Sequence, residues 1–264
     1  MRDKNKRVKF IIGCVLTGLV FIMMLSGIFY TPFDPMEMNP STKLMGPTLA
    51  HIFGCDNFGR DIFSRVMVGV RETMLVAGSV VIIGTLVGTI VGTITGYYGG
   101  WLDEIIMRLN DAVLAFPSVL LALLIIGLLG GGRNTLILAL GIAFVPSFAR
   151  IVRGEVLRIR NLDFIQCVKL YGASDLRIIF VHILPNLKTV LLSSIRIGFN
   201  NAVLAEAGMS YLGMGVQPPN PSLGRMLSEA QAYIFSNPLN AIFPGIVIVM
   251  MILGFSLMAG GLEK

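Results

Sequence analysis

The sequence predicts an all-α membrane protein with six transmembrane helices. Apolar residues make up 55% of the 264-residue chain and charged residues only 14%, a balance typical of integral membrane proteins. Several apolar runs reach the length of about 18 residues that is needed to cross a bilayer core. Basic residues collect between these runs rather than within them, as they do at membrane surfaces.

Six apolar runs meet the length requirement. In chain order they are Phe10–Tyr30, Thr73–Tyr97, Ala112–Gly130, Asn134–Ile151, Thr189–Met209 and Ala241–Leu262. The third run contains Pro117 and the fifth contains several polar residues, so these two are the least regular. The first run could also be a cleaved signal peptide, but its apolar stretch is too long and no A-x-A-like site follows, which favours a retained helix.

The distribution of basic residues predicts the orientation. The N-terminal tail, residues 1–9, and the segment 152–188 after the fourth run are rich in Lys and Arg. The positive-inside rule places both of these segments and both termini in the cytoplasm. The segment 31–72 and the loop 210–240 then lie outside, and residues 10–264 form a single transmembrane domain. The net charge of +6 is explained by this orientation, and no nucleic-acid partner is expected.

The cysteines and histidines give no sign of a metal site or a disulfide framework. Cys14, Cys55 and Cys167 are far apart and form no C-x-x-C pair. His51 and His182 are isolated in the same way. We therefore predict neither a metal nor a cofactor in this chain.

The second run carries a glycine at every fourth position. The residues are Gly84, Gly88, Gly92 and Gly96. Residues four apart share one helix face, so the glycines form a groove in which another helix can approach closely. The pattern predicts tight helix packing rather than a ligand site.

The fifth run contains polar residues at membrane depth. They are Arg196, Asn200, Asn201 and Glu206. Charged groups in a membrane are costly and usually face a bundle interior or an aqueous cavity. Two interpretations stay open: interfacial or helix-packing groups, or the lining of a translocation path.

The segment 164–186 is a polar, basic stretch between two apolar runs, and its residues predict short helices. Asp163 and Gln166 have the spacing of a capping box, and Phe164, Val168 and Tyr171 would share one apolar face. Gly172 is suited to end this helix in a left-handed conformation.

A second short helix is expected after Gly172. Ser174 can cap it and Asp175 suits its positive end. Its expected apolar face is formed by Leu176, Ile179, Phe180 and Ile183, before Pro185 interrupts it. From the residues alone, the pair of helices could lie on lipid headgroups or dock a partner.

The spacing of this segment resembles the EAA loop of ABC-importer permeases. The matching residues are Gln166-Cys167-Val168, Gly172 and His182-Ile183-Leu184-Pro185, set against a family pattern of E-A-A-x-x-x-G, nine residues and I-x-L-P. Gln166 stands where the family has Glu, Cys167 and Val168 where it has Ala, and His182 where it has Ile. H-I-L-P is common in the peptide/nickel branch.

Three further blocks resemble the same branch, in its second-permease group. They are Gly54–Arg65, Gly96–Pro117 and Met209–Pro219. Cys55 stands where the first block usually has Thr, and Leu223, just after the third, where Trp is usual. The resemblance extends over nearly all of the chain from Gly54 onward.

The resemblance implies a type I importer-like transmembrane fold and a role for the loop. In the family the loop inserts as a coupling helix into a groove on an ATPase subunit. By position, the contact would be carried by Gln166, Lys169, Gly172, Ala173, Ser174 and Asp175, with Pro185 closing the segment. ATP would be bound by the partners, because the glycine-rich Gly127–Arg133 lacks the Lys-Ser/Thr of a P-loop.

The implied partners are a homologous second permease, one or two ATPases and an extracytoplasmic solute-binding protein. The location would be a bacterial or archaeal inner membrane, and the chain itself would not be an enzyme. The segment 31–71 and the loop 210–240 would dock the binding protein. For Arg60 and Asp61, a structural ion pair or helix cap is favoured over a substrate contact.

Two other classes of function have less support in the sequence. A self-sufficient secondary transporter or channel would need ion coupling within this chain, and no clear repeat or intramembrane acid pair supports it. An intramembrane enzyme would need paired Ser/His or Asp/Asp residues or an H-E-x-x-H motif, none of which occurs in the spans. The sequence does not decide between small peptides and nickel or metal chelates as the substrate. The chain is short for this branch, which favours the nickel or metal-chelate members.

Overall fold

The computed structural model describes residues 2–262, which form helices joined by turns. The α-helices are α1 (Arg2–Phe29), α2 (Ile62–Tyr98), α3 (Gly100–Leu114), α4 (Ser118–Leu129), α5 (Arg133–Arg160), α6 (Asp163–Leu170), α7 (Asp175–Arg177), α8 (Leu184–Asn186), α9 (Lys188–Tyr211), α10 (Leu223–Ala230) and α11 (Leu239–Leu262). A π-helical segment, Ile178–Ile183, connects α7 to α8, and two 3-10 turns lie at Pro40–Thr42 and Gln231–Tyr233. Within this described part, extended pairing is limited to one bridge between Cys55 and Asp61.

The spans agree with the expected number of transmembrane helices. Among the described residues, α1, α2, α5 and α11 are each long and apolar enough to cross a membrane. Two bent helix pairs, α3 with α4 and the segment Asp175–Asn186 with α9, bring the number to six when each pair counts as one span. The predicted all-helical membrane fold is therefore confirmed.

The third predicted span is not one continuous helix, and this expectation was wrong. The axis turns by 86° between α3 and α4. Pro117 explains the break, because proline has no N–H for the helix and disfavours helical geometry at the preceding Phe116. Residues 112–114 belong to α3, and a new helix begins at Ser118.

The chain divides into two compact units. One contains the residues up to Gly78, Ile125–Ile137 and the residues from Asn200 onward. Here α1 packs along α11 at two glycines. A Cβ atom at Gly13 would lie 2.2 Å from the backbone N of Met258, and one at Gly254 would lie 2.9 Å from the backbone N of Thr17.

A buried ionic network holds the segment before α2 against α10 in the same unit. The Arg60 guanidinium contacts Asp56 and Glu229, each at 2.7 Å, and Arg65 contacts Glu229 at 3.0 Å. Asp61 accepts from the backbone N–H of Ser64 at 2.7 Å, at the start of α2. Arg60 and Asp61 thus have the expected structural roles, as an ion pair and a helix cap.

The other unit contains Ser79–Leu124 and Leu138–Phe199. Its glycine groove faces α5. A Cβ atom at Gly88 would lie 2.5 Å from the Cβ of Phe148, one at Gly92 would lie 2.5 Å from the carbonyl oxygen of Ala149, and one at Gly96 would lie 2.9 Å from that of Arg153. At Gly84 the nearest atom would be Cδ2 of Phe148, at 3.0 Å. The four glycines let the backbones of α2 and α5 approach more closely than side chains would allow.

Candidate functional site

The segment 163–187 begins with α6, which ends in a well-defined glycine turn. Gly172 has φ of +80°, the left-handed conformation expected from the sequence. Its N–H donates to the carbonyl of Lys169 at 3.0 Å, and the N–H of Ala173 donates to that of Val168 at 3.3 Å. These two bonds form a Schellman motif, which satisfies carbonyl groups at the helix end and fixes the direction of the chain.

The expected capping box at the start of α6 is absent, and that prediction was wrong. Leu162 is the N-cap residue and makes no side-chain capping bond, while Asp163 is already helical. The amide Nε2 of Gln166 donates instead to the carbonyl oxygen of Arg160 at 3.1 Å. An ionised glutamate is only an acceptor, so this tether depends on the glutamine that replaces the family's usual residue.

The buried faces of both short helices also differ from the predicted ones. In α6, Ile165 is buried, whereas Phe164 and Tyr171 are exposed. After α7, the buried residues are Ile178, Ile179 and Ile183, whereas the expected Leu176 and Phe180 are exposed. The predicted Ile179 and Ile183 are buried as expected. The π-helical turn at Ile178–Ile183 widens the helix and shifts its side chains out of the 3.6-residue register, which accounts for the exposure of Phe180.

The inner face of the segment is fixed to the ends of α2 and α5. Ile165, Ile178 and Ile183 join a cluster of buried residues that includes Tyr97 of α2 and Val156 of α5. The phenolic oxygen of Tyr97 also donates to Oδ1 of Asp175 at 2.6 Å. Packing and this hydrogen bond together attach the segment to the ends of the two long helices.

The outer face carries the residues expected to contact a partner. Gln166, Lys169, Gly172, Ser174, Asp175 and Pro185 are exposed, and Ala173 is half-buried. Two apolar side chains that were not predicted to contact a partner lie among them: Leu170 is 87% exposed, and Tyr171, expected on the apolar face of α6, is 92% exposed. Exposed apolar residues surrounded by polar ones are typical of an interaction surface.

Tyr97 was also missed, because it lies 78 residues from Asp175 in the chain and belongs to a transmembrane run. Replacing it with phenylalanine keeps the ring and removes only the hydroxyl group. We expect a loss of about 1 kcal/mol at this partly buried bond. Amide hydrogen exchange over residues 175–186 should then accelerate about fivefold.

Tyr98 gives a matched control for this substitution. It is the next residue on α2 and is 50% exposed. Among the described residues, its hydroxyl group has no side-chain hydrogen-bond partner. Tyr98→Phe should leave hydrogen exchange in the segment unchanged. Equal exchange rates in the two variants would contradict the assigned bond.

The polar residues of the fifth span lie in different surroundings. Glu206 is fully buried and accepts from the hydroxyls of Thr73 at 2.8 Å and Ser210 at 2.7 Å. Asn201 is exposed, whereas Arg196 and Asn200 are half-buried. The surroundings of Glu206 favour a packing role for its carboxyl group. The other three stay candidates for a translocation path.

Comparison with known proteins identifies the family of this chain. Residues 88–263 match the family described as "Binding-protein-dependent transport system inner membrane component". The dipeptide transport system permease protein DppC of Alkalihalophilus pseudofirmus is 40% identical over 98% of this chain and 85% of the relative. The glutathione transport system permease protein GsiD of Escherichia coli is 41% identical over 94% of this chain and 84% of the relative.

A solved structure shows the same fold. The inward-facing MetNI methionine ABC transporter matches with a TM-score of 0.63 at 19% identity, over 74% of this chain and 93% of the matched chain. The fold and the family favour an importer subunit over a self-sufficient transporter or channel. The chain belongs to the family of inner-membrane components of binding-protein-dependent transport systems, the permeases of ABC importers.

Proposed function

We propose that this permease forms half of the translocation path for short peptides and is driven by an ATPase that docks on the segment 163–187. The observation that carries the docking proposal is the two-sided construction of this segment. Its inner face is locked to α2 and α5 by a buried cluster and by the Tyr97–Asp175 bond. Its outer face exposes Leu170 and Tyr171. A movement of an ATPase bound to this face would therefore be passed to α2 and α5.

Peptides are favoured as the substrate class because the similar permeases named above serve dipeptide and glutathione transport systems. The nickel and metal-chelate alternative has no comparable support here.

The remaining partners follow from the family. A homologous second permease would complete the path, and a solute-binding protein would deliver the substrate on the side opposite the ATPase. The exposed apolar residues Leu49, Ile52 and Phe235 support docking of that protein on the segment 31–72 and the loop 210–240. In this proposal both termini lie in the cytoplasm, as the positive-inside rule predicts.

Cys167 allows a direct test of the docking site and of the orientation. It is exposed on α6, whereas Cys55 is buried, and burial raises the pKa of the Cys55 thiol and slows its alkylation. A Cys14→Ser/Cys55→Ser variant would be treated with a membrane-impermeant maleimide in inside-out vesicles and in spheroplasts. We expect rapid labelling only in the vesicles, and at least about tenfold slower labelling when the ATPase subunits are co-expressed.

Two other results would each overturn a different part of the proposal. Labelling of Cys167 in spheroplasts would reverse the orientation. Labelling in vesicles at a rate that the ATPase does not change would remove the docking site. A variant that keeps Cys55 alone is the control, because its thiol should react slowly in both preparations.

A further inference from the structure

A cavity of about 360 Å³ lies beside the start of α5 in the first of the two units described above. Its walls include Glu72, Arg133, Asn134, Gln217 and Asn220. These residues come from the third turn of α2, the first turn of α5 and the loop after α9. The volume lies in the range of small-molecule sites, about 300–1,000 Å³. In the proposed orientation, the cavity is on the outer side of the membrane.

The charged residues of this cavity form an incomplete ion pair. Nη1 of Arg133 lies 3.3 Å from Oε2 of Glu72, and the two side chains are 44% and 9% exposed. By contrast, the bidentate pair of Arg153 and Asp103 has two bonds of 2.5 and 2.6 Å. The guanidinium has five N–H donors, so the single long contact leaves most of its hydrogen-bonding capacity for a ligand.

The polar wall opposite this pair is held in place by local contacts. Nε2 of Gln217 donates to the carbonyl oxygens of Gly213 at 2.9 Å and Gly215 at 3.0 Å. A Cβ atom at Gly131 would lie 3.0 Å from the same Nε2, so the turn before α5 fits closely against Gln217. A fixed amide beside an incomplete ion pair is a pre-organised polar site.

We propose that this cavity is an entry site for a short zwitterionic peptide, with Glu72 binding its ammonium group and Arg133 binding its terminal carboxylate. This inference rests on the proposed function and extends it to the end groups of the substrate. A ligand with both charges replaces the contact between Glu72 and Arg133 with two charge-assisted bonds. A ligand lacking one charge leaves a partly buried partner unpaired, which is the costly case.

The test is direct ligand binding by saturation-transfer difference NMR, which detects weak ligands. The full-length chain in lipid nanodiscs would be titrated with Ala-Ala, N-acetyl-Ala-Ala and Ala-Ala-amide. We expect Ala-Ala to bind about tenfold more tightly than either blocked peptide. Equal binding of all three peptides, or no binding of Ala-Ala, would overturn the proposal.

Two substitutions separate a ligand site from a purely structural pair. Glu72→Gln should remove only the preference for a free amino group, and Arg133→Gln only the preference for a free carboxylate. A structural pair predicts that both variants lose both preferences together, and that result would overturn the proposal. Glu104→Gln is the control, because it breaks an exposed ion pair with Arg108 on α3, far from these residues in the chain.

The outcome is independent of the docking test. The nanodisc assay contains no ATPase and no binding protein, so a failure of Cys167 protection does not affect it. If Cys167 is protected but Ala-Ala does not bind, the coupling role stands and the entry site is wrong.

Discussion

Replacing Gly172 with valine is expected to abolish peptide uptake while the permease still inserts into the membrane. Gly172 has φ of +80°, a conformation that costs an L-residue about 1–2 kcal/mol and a β-branched one more. No heavy atom lies within 4 Å of a Cβ atom built there, so the effect comes from the backbone rather than from a clash. To relieve the strain, the Schellman turn must open, and the outer face of α6 then changes direction.

The measurement is uptake of radiolabelled Ala-Ala by the assembled importer, with membrane insertion followed by a C-terminal fluorescent fusion. Gly172→Asn is the matched variant, since asparagine tolerates the left-handed region, and it should retain most of the uptake. Gly18→Val is a second control in open space on α1. Normal uptake by Gly172→Val would refute the role given to this turn.

Replacing Gly92 with leucine should destabilise the permease by about 3 kcal/mol or more, because overpacking at a fixed interface cannot be relieved by a small shift. A Cβ atom at this position would lie 2.5 Å from the carbonyl oxygen of Ala149 and 2.8 Å from the Cβ of Val152. The first is a backbone atom of α5, so the two helices must separate. We expect aggregation on heating at a lower temperature, measured by fluorescence-detected size-exclusion chromatography.

The same substitution at Gly78 is the control for Gly92→Leu. Gly78 lies on the same helix, and a Cβ atom there has no heavy atom within 4 Å. Gly78→Leu should aggregate at nearly the same temperature as the unmodified protein. If the two variants are equally stable, the close contact between α2 and α5 is not needed for stability.

Hydropathy predicted most of the fold because every helix that crosses a bilayer must meet the same requirement of length and apolar composition. A helix must be long and apolar enough to cross, and that property is local in the sequence. The bend between α3 and α4 was missed, although Pro117 marked its position. Composition alone counts apolar residues and does not say whether they continue in one straight helix.

The position of the segment 163–187 was predicted from the spacing of its residues, but its internal packing was not predicted. The left-handed turn at Gly172 was predicted because glycine, which has no Cβ atom, adopts positive φ values easily. The exposure of Phe180 depends on a π-helical turn, which the pattern of apolar residues does not reveal. The bond from Tyr97 to Asp175 and the network around Glu229 join residues far apart in the chain, so no local rule predicts them.

The pairing of α1 with α11 has a consequence for biosynthesis. Met258 faces Gly13 and Gly254 faces Thr17, so the two helices run in opposite directions and pair two spans that are synthesised far apart in time. During translation, α1 enters the membrane long before its packing partner exists. Since α1 and α11 lie far apart in the sequence, this unit cannot complete its packing until α11 has left the ribosome. In the interval α1 must be shielded by lipid or by the insertion machinery, and a chain truncated before α11 would leave it unpaired.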